Sequence, residues 1–144
     1  MTKASAPQQQ LHQQLVTCLK GEWHSLVVVP ASPGLSAERV VNALVEVSTL
    51  VRGQPAKAFS TEGLEVSAVS RVIVDVMQHL GNKGLAIVAV DSVIATQTGI
   101  PVVLAADAAL LVVELGVTTT ADAKRTVEIV GEKKFIGAIT LEQG

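Results

Sequence analysis

The sequence predicts a three-layer α/β/α fold around a five-stranded, mostly parallel sheet. Three observations predict it. Short runs rich in Val, Ala, Leu and Ile recur at 26–30, 85–90, 109–115 and 135–140, the composition of strands buried on both faces. Between the runs lie segments with apolar positions at helical spacing, and strands alternating with such helices imply βαβ crossovers. Hydrophobic residues make up 49% of the chain and aromatics only 2%, so the core must be aliphatic. The 144 residues suffice for one domain burying roughly 68% of its unfolded surface. One domain over 1–144 is therefore expected, with 1–7 as a loose tail.

Each element has its own warrant. Residues 8–20 put Leu11, Leu15, Cys18 and Leu19 on one helical face, and Gly21 stops the pattern. LVVVP at 26–30 is the first central strand, ended by Pro30. From Ser36 to Val51 the positions Ala37, Val40, Val41, Leu44, Val47 or Ser48, and Val51 form a helical stripe. Gly53 and Pro55 then break it. AKAFS at 56–60 is the weakest strand, supported only by Ala, Phe and one lysine. A second long helix follows, with Val66, Val69, Ile73, Val76, Met77 and Leu80 facing inward, closed by Gly81-Asn82-Lys83-Gly84. LAIVAV at 85–90 is a buried strand, 100–105 a short helix and 109–115 another strand. Thr119, with Asp122 three residues on, resembles the cap of a helix at 120–130 whose inward residues are Ala123, Val127 and Val130. FIGAIT at 135–140 is the last strand. The order is Rossmann-like.

Composition also narrows function. Eleven Lys and Arg against 13 Asp and Glu give a formal charge of −2, which excludes a strongly basic nucleic-acid binder. No basic stripe accompanies Trp23, Phe59 and Phe135, so base stacking has no platform. Cys18 is the single cysteine, which excludes a disulfide scaffold or a cysteine-ligated zinc site. The N-terminal residues lack the apolar stretch of a secretory signal, and no apolar run approaches the roughly 20 residues of a membrane span. A cytoplasmic protein without direct membrane insertion is expected.

Ligands of open parallel sheets bind beyond the C-terminal strand ends, which points to the loops 31–38, 61–65, 91–99 and 116–120. The first, ASPGLSAE, has the strand-loop-helix context of a Walker A loop with Gly34 and Ser36, but the Gly-Lys-Ser/Thr ending is absent. Ala37 stands where the phosphate-binding lysine belongs, and Glu38 where a magnesium-binding hydroxyl belongs. A carboxylate there repels phosphates. Asp91 ends the strand at 85–90, as a Walker B carboxylate does, yet one aspartate is a weak metal site. Thr118 and Thr119 offer hydroxyls for capping or for an anion. Asp75 pairs with Arg71 or is solvated, and Asp107 reads as a cap or turn residue. His12, His24 and His79 sit beside no evident nucleophile or carboxylate. No G-x-S-x-G or G-x-G-x-x-G pattern occurs. Catalytic residues, metal and cofactor are therefore all expected to be absent.

Four stretches together resemble a known family: 11–19, LVVVPASPGLSAERVVNALVEVSTLV at 26–51, 85–115 with VDSV and ADAALLVVELG, and GVTTTADAKRTVEIVGEKKFIGAI at 116–139. The chain resembles P-loop ATPases of the MinD/ParA type, nearest the bacterial tyrosine autokinases of exopolysaccharide and capsule biosynthesis. The resemblance implies a P-loop NTPase-like scaffold without a functional P-loop, since Ala37 and Glu38 replace lysine and hydroxyl. The C-terminal tyrosine cluster of such kinases has no counterpart here, because the chain has no Tyr. The resemblance thus implies a non-catalytic scaffold or regulatory component of exopolysaccharide biosynthesis or export, acting by protein contact. Its expected partners are a second copy, giving a dimer, and a membrane polysaccharide chain-length or export protein. Through that protein it would be peripheral to the inner membrane. Two alternatives stand beside this reading. One is an ATPase or tyrosine autokinase with a non-standard site, its lysine supplied by Lys57, Lys83 or Lys124. The other is a small enzyme using the sheet-end loops for an unrelated substrate, for which a pocket joining Ser36, Asp91 and Thr118 would argue.

Overall fold

The computed structural model describes residues 22–142. The predicted tail, the helix at 8–20, His12 and Cys18 lie outside them. Five strands, β1 (Ser25–Pro30), β2 (Ala56–Ser60), β3 (Leu85–Ala89), β4 (Ala108–Glu114) and β5 (Phe135–Leu141), alternate with four helices. The helices are α1 (Glu38–Arg52), α2 (Val66–Gly81), α3 (Ile100–Ala105) and α4 (Thr120–Val130). A 3₁₀ turn at Glu132–Lys134, not expected from the sequence, leads into β5. The sheet order is β2-β3-β1-β4-β5 and every pairing is parallel.

Strand position explains the residue types. β1 pairs with β3 on one side and β4 on the other, with Val27 opposite both Val88 and Ala109. All residues of β1 and β3 are buried, so both strands read as unbroken apolar runs. β2 is an edge strand and half-exposed, which is why AKAFS carries so faint a signal.

Alternate strand residues feed two cores. Leu26, Val28, Ile87 and Leu110 point to the face where α1 packs with Val40, Val41 and Leu44. Val27, Val29, Val88 and Ala109 point to the opposite face, met by Val69 of α2, Val102 and Val103 of α3, and Val130 of α4. The chirality of crossovers produces this division. The chain leaves β1 toward β2, in one direction along the sheet, while the β2–β3, β3–β4 and β4–β5 connections all run the other way. Consequently the crevice beyond the ends of β1 and β3 opens between helices on opposite faces, a topological switch point.

The helical stripes hold with three corrections. In α1 the buried stripe ends at Val47 and Ser48, and Val51, in the last turn, is exposed. In α2 the expected inward residues Val66 and Met77 are exposed, Val69 is buried, and Ile73, Val76 and Leu80 are half-buried. The apolar sector of this helix is wider than the strip of sheet beneath it, so its margin faces out. In α4 the buried residues are Thr126 and Val130, with Ala123 and Val127 half-buried. Thr126 is accommodated because its hydroxyl donates to Asp122 O at 2.8 Å. Gly53, at φ 66°, ends α1 in the left-handed region. Among the described residues no helix is long and apolar enough to cross a membrane.

Candidate functional site

Three loops at the C-terminal edge of the sheet converge on one cleft. It has a volume of about 190 Å³ and is lined by Gly34, Leu35, Ser36, Glu62, Asp91, Ser92, Ala95 and Thr96. The loop after β1 turns at Gly34, whose φ of 83° favours glycine, and a bond from Leu35 N–H to Ser32 O closes the turn. The chain then enters α1 through Ala37, whose side chain is buried in the core and supplies no cap.

The cap comes from another loop. Glu62, between β2 and α2, places its carboxylate on the start of α1. Ala37 N–H donates to Glu62 Oε1 at 2.8 Å, and Ser36 Oγ donates to the same carboxylate at 3.0 Å to Oε2 and 3.2 Å to Oε1. Ser36 Oγ in turn accepts from Glu38 N–H at 3.2 Å. The free N–H groups and dipole of a helix N-terminus favour an anion, and here the protein's own carboxylate is that anion. Glu38 turns away from this point and accepts from Ser60 Oγ at 2.9 Å. Ser60 Oγ also accepts from Glu62 N–H, so both acidic residues are fixed by one hydroxyl.

Asp91 closes the far wall. Its Oδ2 accepts from Gly63 N–H at 2.8 Å, which ties the loop after β3 to the loop after β2. Gly63, at φ 71°, makes that turn, and Thr61 beneath it is buried and donates to Ala89 O. Ser92 Oγ accepts from Ile94 and Ala95 N–H. Among the described residues no group of three or more His, Cys, Asp or Glu side chains is placed to hold a metal ion.

Of the residues singled out from sequence, Gly34, Ser36 and Asp91 meet in the cleft, with Ala37 and Glu38 at its edge. Thr118 and Thr119 lie elsewhere, beyond β4. Thr118 Oγ1 accepts from Glu114 N–H at 2.9 Å and is hydrogen-bonded to Ser32 Oγ at 2.5 Å. Thr119 is the N-cap of α4, accepting from Asp122 N–H at 3.0 Å. The pocket joining Ser36, Asp91 and Thr118 is thus not formed, since Thr118 does not line the cleft. No lysine lines it either. Lys57 lies over the Phe59 ring and Lys83 follows the end of α2; Lys124 sits in α4.

One sequence expectation requires correction outside the cleft. His24 does have a carboxylate beside it: its Nδ1 lies 3.9 Å from Asp107 Oδ2, which also accepts from the backbone N–H of His24 and Ser25. Asp107 precedes β4, which pairs with β1, so the sheet joins residues far apart in sequence. Of the two alternatives for Asp75 the solvated one is found: it and Arg71 are exposed on α2, with no ion pair between them among the described residues.

Glu62 is the residue that sequence reasoning missed. It stood in a loop already marked as lying at the strand ends, and an acidic residue there can reach the neighbouring helix start. In comparison with known proteins, no family model and no curated protein matches this chain.

Proposed function

We propose that this chain is a non-catalytic component of a bacterial exopolysaccharide synthesis or export assembly, a P-loop-like scaffold that acts by contact with a second copy and a membrane chain-length protein. The observation that carries the non-catalytic part is the Glu62 carboxylate on Ser36 Oγ and Ala37 N–H. In a strand-loop-helix phosphate site those donors face the ligand. Here they are engaged, and a phosphate approaching them meets Glu62 and Asp91. Neither a lysine nor an arginine lines the cleft to offset that charge. The polysaccharide context draws its support from the resemblance of 26–51, 85–115 and 116–139 to the autokinases, and the contact reading from the same source.

Calorimetry with Mg-ATP tests the first part. Binding weaker than about 1 mM, a free energy near −4 kcal/mol, is expected. A micromolar dissociation constant would overturn it in favour of the ATPase or autokinase alternative. Copurification with the cytoplasmic part of a polysaccharide chain-length protein tests the second part. Absence of that complex at micromolar concentrations of both components would remove the assembly assignment.

A further inference from the structure

We infer that residues 8–20 pack as an amphipathic helix across β4 and β5, on the face of the sheet that carries α1, and complete the core that α1 begins. Leu110 and Ile139 are 0% exposed and Leu141 9%. By strand alternation their side chains belong to the α1 face, with Leu26 and Val28. Among the described residues α1 is the helix on this face, and it packs against β2 and β3. A helix with its side chains is about 10–12 Å across. β5 lies three strands beyond β3, about 14 Å at the usual strand spacing. Ile139 is therefore out of reach of α1, while α2, α3 and α4 pack on the opposite face. An apolar side chain in mid-strand is fully buried only beneath another layer, and no described helix supplies that layer.

The chain's own N-terminal segment has the right length, entry point and apolar stripe. Trp23 is 4% exposed and belongs to the same core as Leu110 and Ile139, so the chain reaches β1 from this face. β4, the strand beside β1, is the nearest uncovered ground. As a helix, residues 8–20 would be about 20 Å long, close to the roughly 23 Å of a seven-residue strand such as β5. Running antiparallel to β1, the helix would end at Gly21 and leave Glu22 to His24 as the link. Leu11, Leu15, Cys18 and Leu19 then face the sheet. Gly137 stands opposite Leu110 on this same face. Glycine inside a strand marks a place where another backbone comes close. The opposite face is the rival ground, but its groove between α2 and α3 stays open, with Met77 65% exposed. The covered side chains are those on the α1 face.

Cys18, the single cysteine, reports on this packing in the full chain. Its reaction with dithiobis(nitrobenzoate) should be at least about a hundredfold slower than in the urea-unfolded chain, and the rate should not depend on protein concentration. Gly137→Leu fills the close approach and should speed the reaction at least about tenfold, with circular dichroism unchanged. Met77→Glu, on the opposite face, should leave the rate as it is. Cys18 reacting at the unfolded rate in the wild-type chain would overturn the inference. Protection lost on dilution would overturn it too, by showing that copies exchange the segment. So would protection indifferent to a folded Gly137→Leu, or removed by Met77→Glu, which would move the segment to the α2 groove. If Gly137→Leu does not fold, hydroxyl-radical footprinting of the wild-type chain decides. Leu15 and Leu19 protected while Met77 is oxidised is the expected result; oxidised Leu15 and Leu19, or a protected Met77, would overturn the placement.

Discussion

The carboxylate of Glu62 sits 2.8 Å from the backbone N–H of Ala37, so the first turn of α1 is capped by a residue 25 positions away. This one contact closes the loop after β1 onto the loop after β2. It also fills the place where an outside anion would bind. A local cap would have left that place open. The strand-loop-helix turn into α1 thus carries a built-in carboxylate at its helix start.

Glu62→Ala should therefore destabilise the fold by about 1–2 kcal/mol, the range for loss of an N-cap. Glu62→Gln should cost less, because an amide oxygen still accepts from Ala37 N–H while the charge on the helix dipole is gone. Urea unfolding at unchanged m-value measures both. Raising ionic strength should narrow the gap between Glu62 and Gln, since the charge contribution is screened. Equal stability of all three forms would show that the carboxylate contributes nothing to α1.

Thr118 and Thr119 look equivalent in sequence and should behave differently. Thr119→Ala removes the α4 cap and should cost about 1 kcal/mol. Thr118→Val keeps the shape but leaves Glu114 N–H and the buried Ser32 hydroxyl without this partner. That loss should cost about 1–3 kcal/mol. Thermal unfolding should rank Thr118→Val below Thr119→Ala, and the reverse order would remove the role given to the Ser32–Thr118 bond.

The parts of this fold that could be read from sequence are those set by burial on both sides. LVVV at 26–29 and LAIVA at 85–89 are apolar throughout because helices cover both faces of β1 and β3. Their limits fall within a residue of the expected ones. The half-exposed edge strand β2 had no such signature. Side-chain direction failed where a helix is more apolar than its contact requires, as with Val66 and Met77 in α2. At the candidate site, strand ends located Gly34, Ser36 and Asp91, since topology alone puts those loops together. The bonds from Ala37 to Glu62 and from His24 to Asp107 span 25 and 83 residues. Such pairings depend on strand order, which periodicity does not encode.

Two leucines of α1 separate core packing from helix propensity. Leu44 is fully buried against the sheet, and Leu50 is 83% exposed. Leu44→Ala should cost about 2–5 kcal/mol through lost burial and the cavity left behind. Leu50→Ala should stay within about 0.5 kcal/mol of wild type. Because both substitutions are Leu to Ala in one helix, propensity changes equally in each. Chemical denaturation giving similar values for the two would contradict the placement of α1 on the sheet.

The turn between α2 and β3 offers a test by coupling. A Cβ on Gly84 would lie 2.2 Å from His79 Nε2 and 2.5 Å from Cε1, so Gly84→Ala requires the imidazole to move. That ring is held by a contact of its Nε2 with Pro55 O at 3.3 Å and lies beside Phe59, with centroids 6.0 Å apart. Displacing it gives up both contacts, and Gly84→Ala should cost about 1–2 kcal/mol, as overpacking does. His79→Ala alone should cost about 1 kcal/mol for the lost hydrogen bond. With the ring already gone, the added methyl meets no obstacle from it, so the double variant should be more stable than the sum of the singles by about 1 kcal/mol. Gly53→Ala provides the contrast. Its φ is 66° with nothing within 4 Å of the new Cβ, so its cost of about 1–2 kcal/mol is backbone strain and should be the same with or without His79. A double-mutant cycle of unfolding free energies reads both cases, and additivity at Gly84 would show that the ring does not limit this turn.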